Sequence, residues 1–189
     1  MKIREERIVA ETPWMSFRER IFEDREGHEK SWTYVERTNR QHAAVIIPTT
    51  VSTGTLVLVA QTRIPLGGRV LEFPAGLIEP GEDPGDAALR ELEEETGYRG
   101  MLISVGPATA SSPGVTNELV HLVQVRAEEH PSREVAHEPS EEIEVLRFPP
   151  AEISRIYEYA RDESVVLDAR LAAYLDSMIL CNSSRDRIV

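Results

Sequence analysis

The chain has 189 residues, 41% hydrophobic and 29% charged, with 33 acidic against 21 basic side chains and a formal net charge of -12. This is the balance of a globular protein, one domain with an appendage, and it excludes a sequence-independent nucleic-acid binder, which needs a basic surface. A phosphate-bearing substrate stays admissible, because a bound cation reverses the local charge.

Cys181 is the only cysteine, so no intrachain disulfide can form and a reducing compartment fits. The opening residues lack the apolar stretch of a signal peptide, and no run reaches transmembrane length. The expectation is a cytoplasmic protein with no membrane partner. The five histidines show no paired zinc spacing and read as surface or structural groups.

Residues 1–40 read as three strands, at 3–11, 16–23 and 31–37, with a turn at 24–27. A sheet of that size buries little by itself and must dock on something, such as a second subunit. The main domain is expected over residues 41–180. It opens with apolar, β-branched runs at 43–48 and 55–61, which suit strands buried on both faces. A strand at 70–73 leads into a Gly- and Pro-rich loop, and the loop leads into a helix. Strands at 101–105 and 119–125 flank a turn at 111–114. The polar segment 127–140 is the one long irregular stretch, and such loops are commonly functional. A strand at 142–148 and helices at 150–160 and 165–180 follow, with a frayed tail over 181–189.

The helix after the loop carries the chemistry. Asp83 is a good N-cap, Pro84 suits the first helical position and Gly97 is a natural stop, so the helix should span residues 84–96. Ala88, Leu89 and Leu92 form its apolar arc, while Glu91, Glu94 and Glu95 share another face. Like charges at this spacing repel by roughly 0.2–0.5 kcal/mol per pair, and they occupy the last turn, where the helix dipole favours cations. Within the helix only Arg90 is placed to compensate. Carboxylates gathered at that end call for a cation, and all-oxygen ligands point to Mg²⁺ or Mn²⁺.

The stretch resembles the Nudix box: Gly, five residues, Glu, seven residues, Arg-Glu, an aliphatic residue, any residue, Glu-Glu, any residue, Gly and an apolar residue. Gly76, Glu82, Arg90, Glu91, Leu92, Glu94, Glu95, Gly97 and Tyr98 fill those positions, with Tyr98 a departure in the last. From about residue 9 to 175 the chain is similar to the ADP-ribose and ADP-sugar pyrophosphatase branch of that family. The similarity rests on Trp14 to Phe17, the segment 29–38, Gln61-Thr62-Arg63, Leu71 to Gly76, Ser112-Pro113-Gly114 with Asn117, and residues 141–145. Thr62 stands where the branch usually has an aromatic residue.

The resemblance implies an α/β/α sandwich around a mixed sheet, with a small N-terminal antiparallel sheet exchanged across a homodimer. It implies metal-dependent hydrolysis of ADP-ribose or another nucleoside diphosphate sugar. Glu91, Glu94, Glu95 and the carbonyl of Ala75 would hold metal, with Glu82 and Arg90 supporting them. Arg37 and Arg63 would contact the diphosphate or nucleotide, and Pro113 is a marker of the branch. Trp14 and Trp32 would sandwich adenine, and Glu141 would activate water, with Glu138 in reserve. Read from the residues alone, the tryptophans also suit core or interface packing, the arginines surface ion pairs, and Glu141 a solvated loop. Two other functions stay open: a pyrophosphatase for another nucleotide (a dinucleotide, a triphosphate or a coenzyme-A derivative), and a non-catalytic ADP-ribose sensor.

Overall fold

The computed structural model describes residues 1–38, 41–135 and 142–185, with side chains as far as Cys181. Strands β1 (Lys2–Glu11), β2 (Met15–Glu23) and β3 (Glu29–Arg37) form a three-stranded antiparallel sheet in that order. The β2–β3 turn closes because Gly27 supplies a φ of 86° while the Asp24 carboxylate accepts the N–H groups of Glu26 and His28 at 2.9 Å. Cross-strand charges pair throughout: Glu6 takes Arg18 and Arg20, and Arg18 also reaches the buried Glu36 at 2.8 Å.

This sheet docks on its own chain. The Val35 N–H donates to Val115 O at 2.8 Å, the Trp32 indole N–H donates to Gly114 O at 3.2 Å, and the Asn117 amide donates to Glu36 at 2.6 Å. The docking leaves Ile3, Ile8, Val9, Met15 and Phe17 exposed.

The second sheet has eight strands, and one strand pair organises it. β4 (Ala43–Thr50) and β5 (Leu56–Arg63) pair only at Thr49 and Leu56, so the sheet opens into two wings from that junction. In one wing β4 runs parallel to β9 (Leu119–Ala127) and antiparallel to the short β7 (Ala75–Leu77), with β8 (Gly100–Ala110) on the far side of β9. In the other, β5 lies between β10 (Ile143–Phe148) and β6 (Gly68–Glu72), and β11 (Val166–Leu167) runs parallel to β6.

Alternation along the buried strands makes two cores. Val45, Leu56, Leu58 and Ala60 face Ile156 of α2 (Arg155–Asp162) and Leu171 and Leu175 of α3 (Ala169–Arg185). Ala44, Ile46 and Val57 face Ala87, Ala88 and Leu92 of α1 (Pro84–Thr96). The result is the expected three-layer sandwich. Among the described residues no helix is long and apolar enough to cross a membrane.

The elements depart from the sequence reading in four places. β7 falls inside what reads as a loop, because its strand character comes from pairing with β4. β8 runs on to Ala110, beyond the expected 101–105. The helix expected over 150–160 divides into a single tight turn at Pro150–Glu152, closed by the Glu152 N–H on Pro149 O at 2.8 Å, and α2. The helix expected over 165–180 starts later: Val166 and Leu167 extend along β6, and Asp168 then caps α3, accepting the N–H groups of Arg170 at 2.9 Å and Leu171 at 3.3 Å. Its backbone stays helical to Arg185, past the point where fraying was expected.

Candidate active site

α1 spans Pro84–Thr96, with Asp83 capping the Gly85 N–H at 2.8 Å and Gly97 in the left-handed conformation at φ 75°. Its last turn carries no basic residue. Compensation comes from more than Arg90, which corrects the reading of the helix by itself. Arg99, just beyond the C-terminus, bonds Glu93 at 3.0 Å, and Arg133, from the segment after β9, donates to the Glu93 carbonyl at 3.2 Å. Gly97 is what lets that segment approach. A Cβ there would lie 2.3 Å from Arg133 O, and Ser132 donates both its N–H and its hydroxyl to Gly97 O at 2.8 and 3.0 Å. Gly97→Ala should therefore cost about 1–3 kcal/mol, through left-handed strain together with the clash. Thermal denaturation should show a melting temperature several degrees lower.

Arg90 is the hub of the helix face. Its Nε and Nη2 grip both oxygens of Glu82 at 2.9 and 3.0 Å, Nη1 donates to Glu91 at 2.8 Å and Glu94 at 3.0 Å, and Nη2 also reaches Leu77 O at 3.1 Å. The guanidinium holds the Glu82 carboxyl below the usual range, helped by the Glu79 N–H. Glu82 and Arg90 thus tie the loop, β7 and the acidic face into one frame.

Two carboxylates are drawn inward from that frame. Glu95 accepts the Ala75 N–H at 3.1 Å; burial pushes its pKa up to about 8, against the pull of that N–H, and the charge of Glu91 adds to the rise. Burial likewise raises Glu91, with Arg90 opposing and the charges of Glu94 and Glu82 adding. Glu91 lies directly over Gly76, where a Cβ would stand 1.9 Å from its carboxyl carbon. Gly76 has no positive φ, so Gly76→Ala should fold normally yet displace Glu91, lowering kcat about 10²-fold. Parallel activity and melting measurements separate these two effects.

The donor set suits a hard divalent cation. Glu91, Glu94, Glu95 and the Ala75 carbonyl offer oxygen only, and two of the carboxylates bear a desolvation cost that a cation would relieve. Among the described residues no three His, Cys, Asp or Glu side chains form a closed cluster, and Arg90 is bonded to both Glu91 and Glu94.

The structure places the remaining expected residues in separate surroundings. Arg63 bonds the buried Glu72 through Nε at 2.8 Å, and Arg37 grips Glu118 through Nε and Nη2 at 3.1 and 3.0 Å. Trp32 and Pro113 meet in a mostly apolar cleft of about 690 Å³, walled also by Phe22 and Tyr34; none of the box glutamates lines it. Trp14 is 78% exposed and is not part of that wall. Met15 pairs with Arg37 and Arg20 with Trp32, and Trp14 lies one residue beyond Met15, which puts the two tryptophans roughly 20 Å apart along the ladder at about 3.4 Å per residue. Glu141 and Glu138 lie outside the described residues. His121 bonds Gly106 O through Nδ1 at 3.0 Å and stacks obliquely on His42, a structural use.

Sequence reasoning missed Glu72 and Glu118 as partners of the two arginines. Glu72 did leave a signal, a carboxylate closing the apolar run Val70-Leu71 and followed by Phe73.

Residues 40–169 match the NUDIX domain. An ADP-sugar pyrophosphatase of Mus musculus is 35% identical over 181 residues, 89% of this chain and 83% of that protein. An ADP-ribose pyrophosphatase of Saccharomyces cerevisiae is 40% identical over 138 residues, 67% of this chain and 60% of that protein. A crystal structure of an ADP compounds hydrolase shares the fold with a TM-score of 0.74 at 23% identity, covering 99% of this chain and 96% of that one.

Proposed function

The chain belongs to the Nudix family, and on that premise we propose that it hydrolyses the diphosphate bond of ADP-ribose or a related nucleoside diphosphate sugar, giving AMP and a sugar phosphate. One observation carries the reading: Glu91 and Glu95 are drawn inward beside β7, one over Gly76 and the other on the Ala75 N–H, at a desolvation cost that a bound cation would offset. The names of the mouse and yeast relatives supply the substrate class.

Glu91, Glu94, Glu95 and the Ala75 carbonyl would hold Mg²⁺, with Mn²⁺ able to substitute. Such an ion supplies charge neutralisation for the diphosphate and lowers the pKa of water. Arg90 and Glu82 keep the carboxylates aligned. Arg63 and Arg37 grip the diphosphate and nucleotide, fixing the scissile bond in place. Glu141 takes the proton from the attacking water.

Adenine would stack between Trp14 of one protomer and Trp32 of its partner. Their separation within a chain, and the exposed Ile3, Ile8, Val9, Met15 and Phe17, support a homodimer joined through the N-terminal sheets. Sedimentation should give a dimer at micromolar concentration, and Trp14→Ala and Trp32→Ala should each raise KM for adenine nucleotides about tenfold or more. A fully active monomer would exclude the shared base site. The lone cysteine suits a reducing, cytoplasmic setting.

The substrate assignment is tested by assaying purified protein with Mg²⁺ against ADP-ribose, ADP-glucose, GDP-mannose and NADH. ADP-ribose or ADP-glucose should give the highest kcat/KM. A preference for NADH or GDP-mannose would move the substrate class.

A further inference from the structure

Glu72 is a buried carboxylate beside the candidate site that the proposed mechanism does not use. It ends β6, is 5% exposed, and has one described ion-pair partner, the Nε of Arg63 at 2.8 Å. Burying such a pair is poor stability practice, since an apolar pair of similar volume commonly does as well or better. The geometry suggests another use. Arg63 remains 42% exposed at its side chain, so its guanidinium is anchored at one edge and open to solvent beyond it. Nε alone is engaged by Glu72, and that contact leaves the Nη edge, the fork that grips phosphate oxygens, outside the bond.

The pair also sits beside the carboxylates. Glu72 precedes Ala75 by three residues, the Ala75 N–H holds Glu95, and both Glu72 and Arg63 lie within electrostatic reach of Glu95. Between Glu72 and Ala75 the backbone is itself fixed, the Pro74 carbonyl accepting the Ile46 N–H at 2.8 Å. One short rigid segment therefore sets both the carboxylate and the arginine.

We propose that Glu72 is a positioning residue for diphosphate cleavage, holding Arg63 by its Nε so that the Nη edge meets the diphosphate beside Glu95. The assignment rests on the diphosphate-hydrolase reading above. In this assignment Glu72 contacts neither substrate nor metal and reaches the diphosphate through Arg63. A freely rotating Arg63 would have to be ordered on every binding event, and misplacement of a clamp of this kind costs up to about 10²-fold.

The test is a double-mutant cycle read in kcat/KM for ADP-ribose, together with NMR of protein labelled with ¹⁵N-arginine. Glu72→Gln should lower kcat/KM about tenfold to hundredfold, with a melting temperature close to wild type. Arg63→Ala should lower it at least as far, and adding Glu72→Gln to Arg63→Ala should change it no further. In the wild type, Arg63 Nε–H should give a distinct, slowly exchanging resonance, and Glu72→Gln should merge it with the solvent-exposed arginines. Glu72→Gln with wild-type kcat/KM, a further loss in the double variant, or an unchanged Arg63 resonance each overturns the assignment. Wild-type protein inactive on every nucleoside diphosphate sugar overturns the hydrolase reading instead, and the arginine resonance still decides whether Glu72 holds Arg63.

Discussion

Glu95→Gln should abolish most turnover, lowering kcat about 10³-fold, while leaving the metal-free fold intact or more stable. The activity loss follows from the worth of a catalytic cation, several kcal/mol, at about 1.4 kcal/mol per tenfold. The stability effect has a definite pH signature. Burial raises the Glu95 pKa from its ordinary carboxylate range to about 8, so the group's contribution to the metal-free fold is fully present below that ordinary range and is lost as pH rises through about 8. The Gln variant has nothing to ionise there. In chelator its melting temperature should stay flat across that window and exceed the wild type's at the alkaline end. With Mg²⁺ the order should reverse, because only the wild type gains stability from the ion. Melting curves at several pH values, with and without Mg²⁺, check all of this. Wild-type activity in the variant at limiting Mg²⁺ would remove Glu95 from the metal site.

Glu141→Gln is the second large effect: kcat lower by about 10²–10⁴-fold with KM nearly unchanged, the pattern of a general base that acts on water and not on substrate binding. Its neighbours provide internal controls. The Glu142 carboxylate accepts the Thr62 hydroxyl at 3.0 Å, and Glu144 pairs with Arg69, so both are engaged by the strands flanking β10's partner β5 or by β5 itself. Glu142→Gln and Glu144→Gln should change kcat only slightly. Steady-state kinetics on the four variants, Glu138→Gln included, assign the base. Loss of activity in Glu138→Gln with retention in Glu141→Gln would move the role three residues upstream.

What the sequence made legible is what local signals encode. Asp83, Pro84 and Gly97 are punctuation that acts within a turn or two, and α1 begins and ends where they place it. The acidic face and the Arg90 contacts follow from helical spacing. The unbroken apolar runs of β4 and β5 signalled their two-sided burial, because a run without polar residues has no solvent face.

The rest depends on what lies across the chain. Three residues of β7 have no strand signal of their own and become a strand only against β4. The Glu91 carboxylate finds room because Gly76 crosses beneath it, a contact between β7 and a helix face that spacing cannot display. Arg99 and Arg133 support the helix terminus from outside its own periodicity. Arg37 and Arg63 read in sequence as phosphate contacts or ion-pair partners, but which carboxylate holds each, Glu118 or Glu72, is set by the fold. The separation of Trp14 from Trp32 is a property of the β2–β3 register. The proposed base sandwich would accordingly draw its two tryptophans from two chains.

The most direct measurement is AMP release from ADP-ribose, followed by chromatography, for the wild type with Mg²⁺, the wild type in chelator, and Glu95→Gln with Mg²⁺. The expected result is stoichiometric AMP and ribose phosphate from the first and almost none from the other two. Tight binding of ADP-ribose by the wild type with no AMP formed in the presence of Mg²⁺ would contradict hydrolysis and identify the chain as a binding protein.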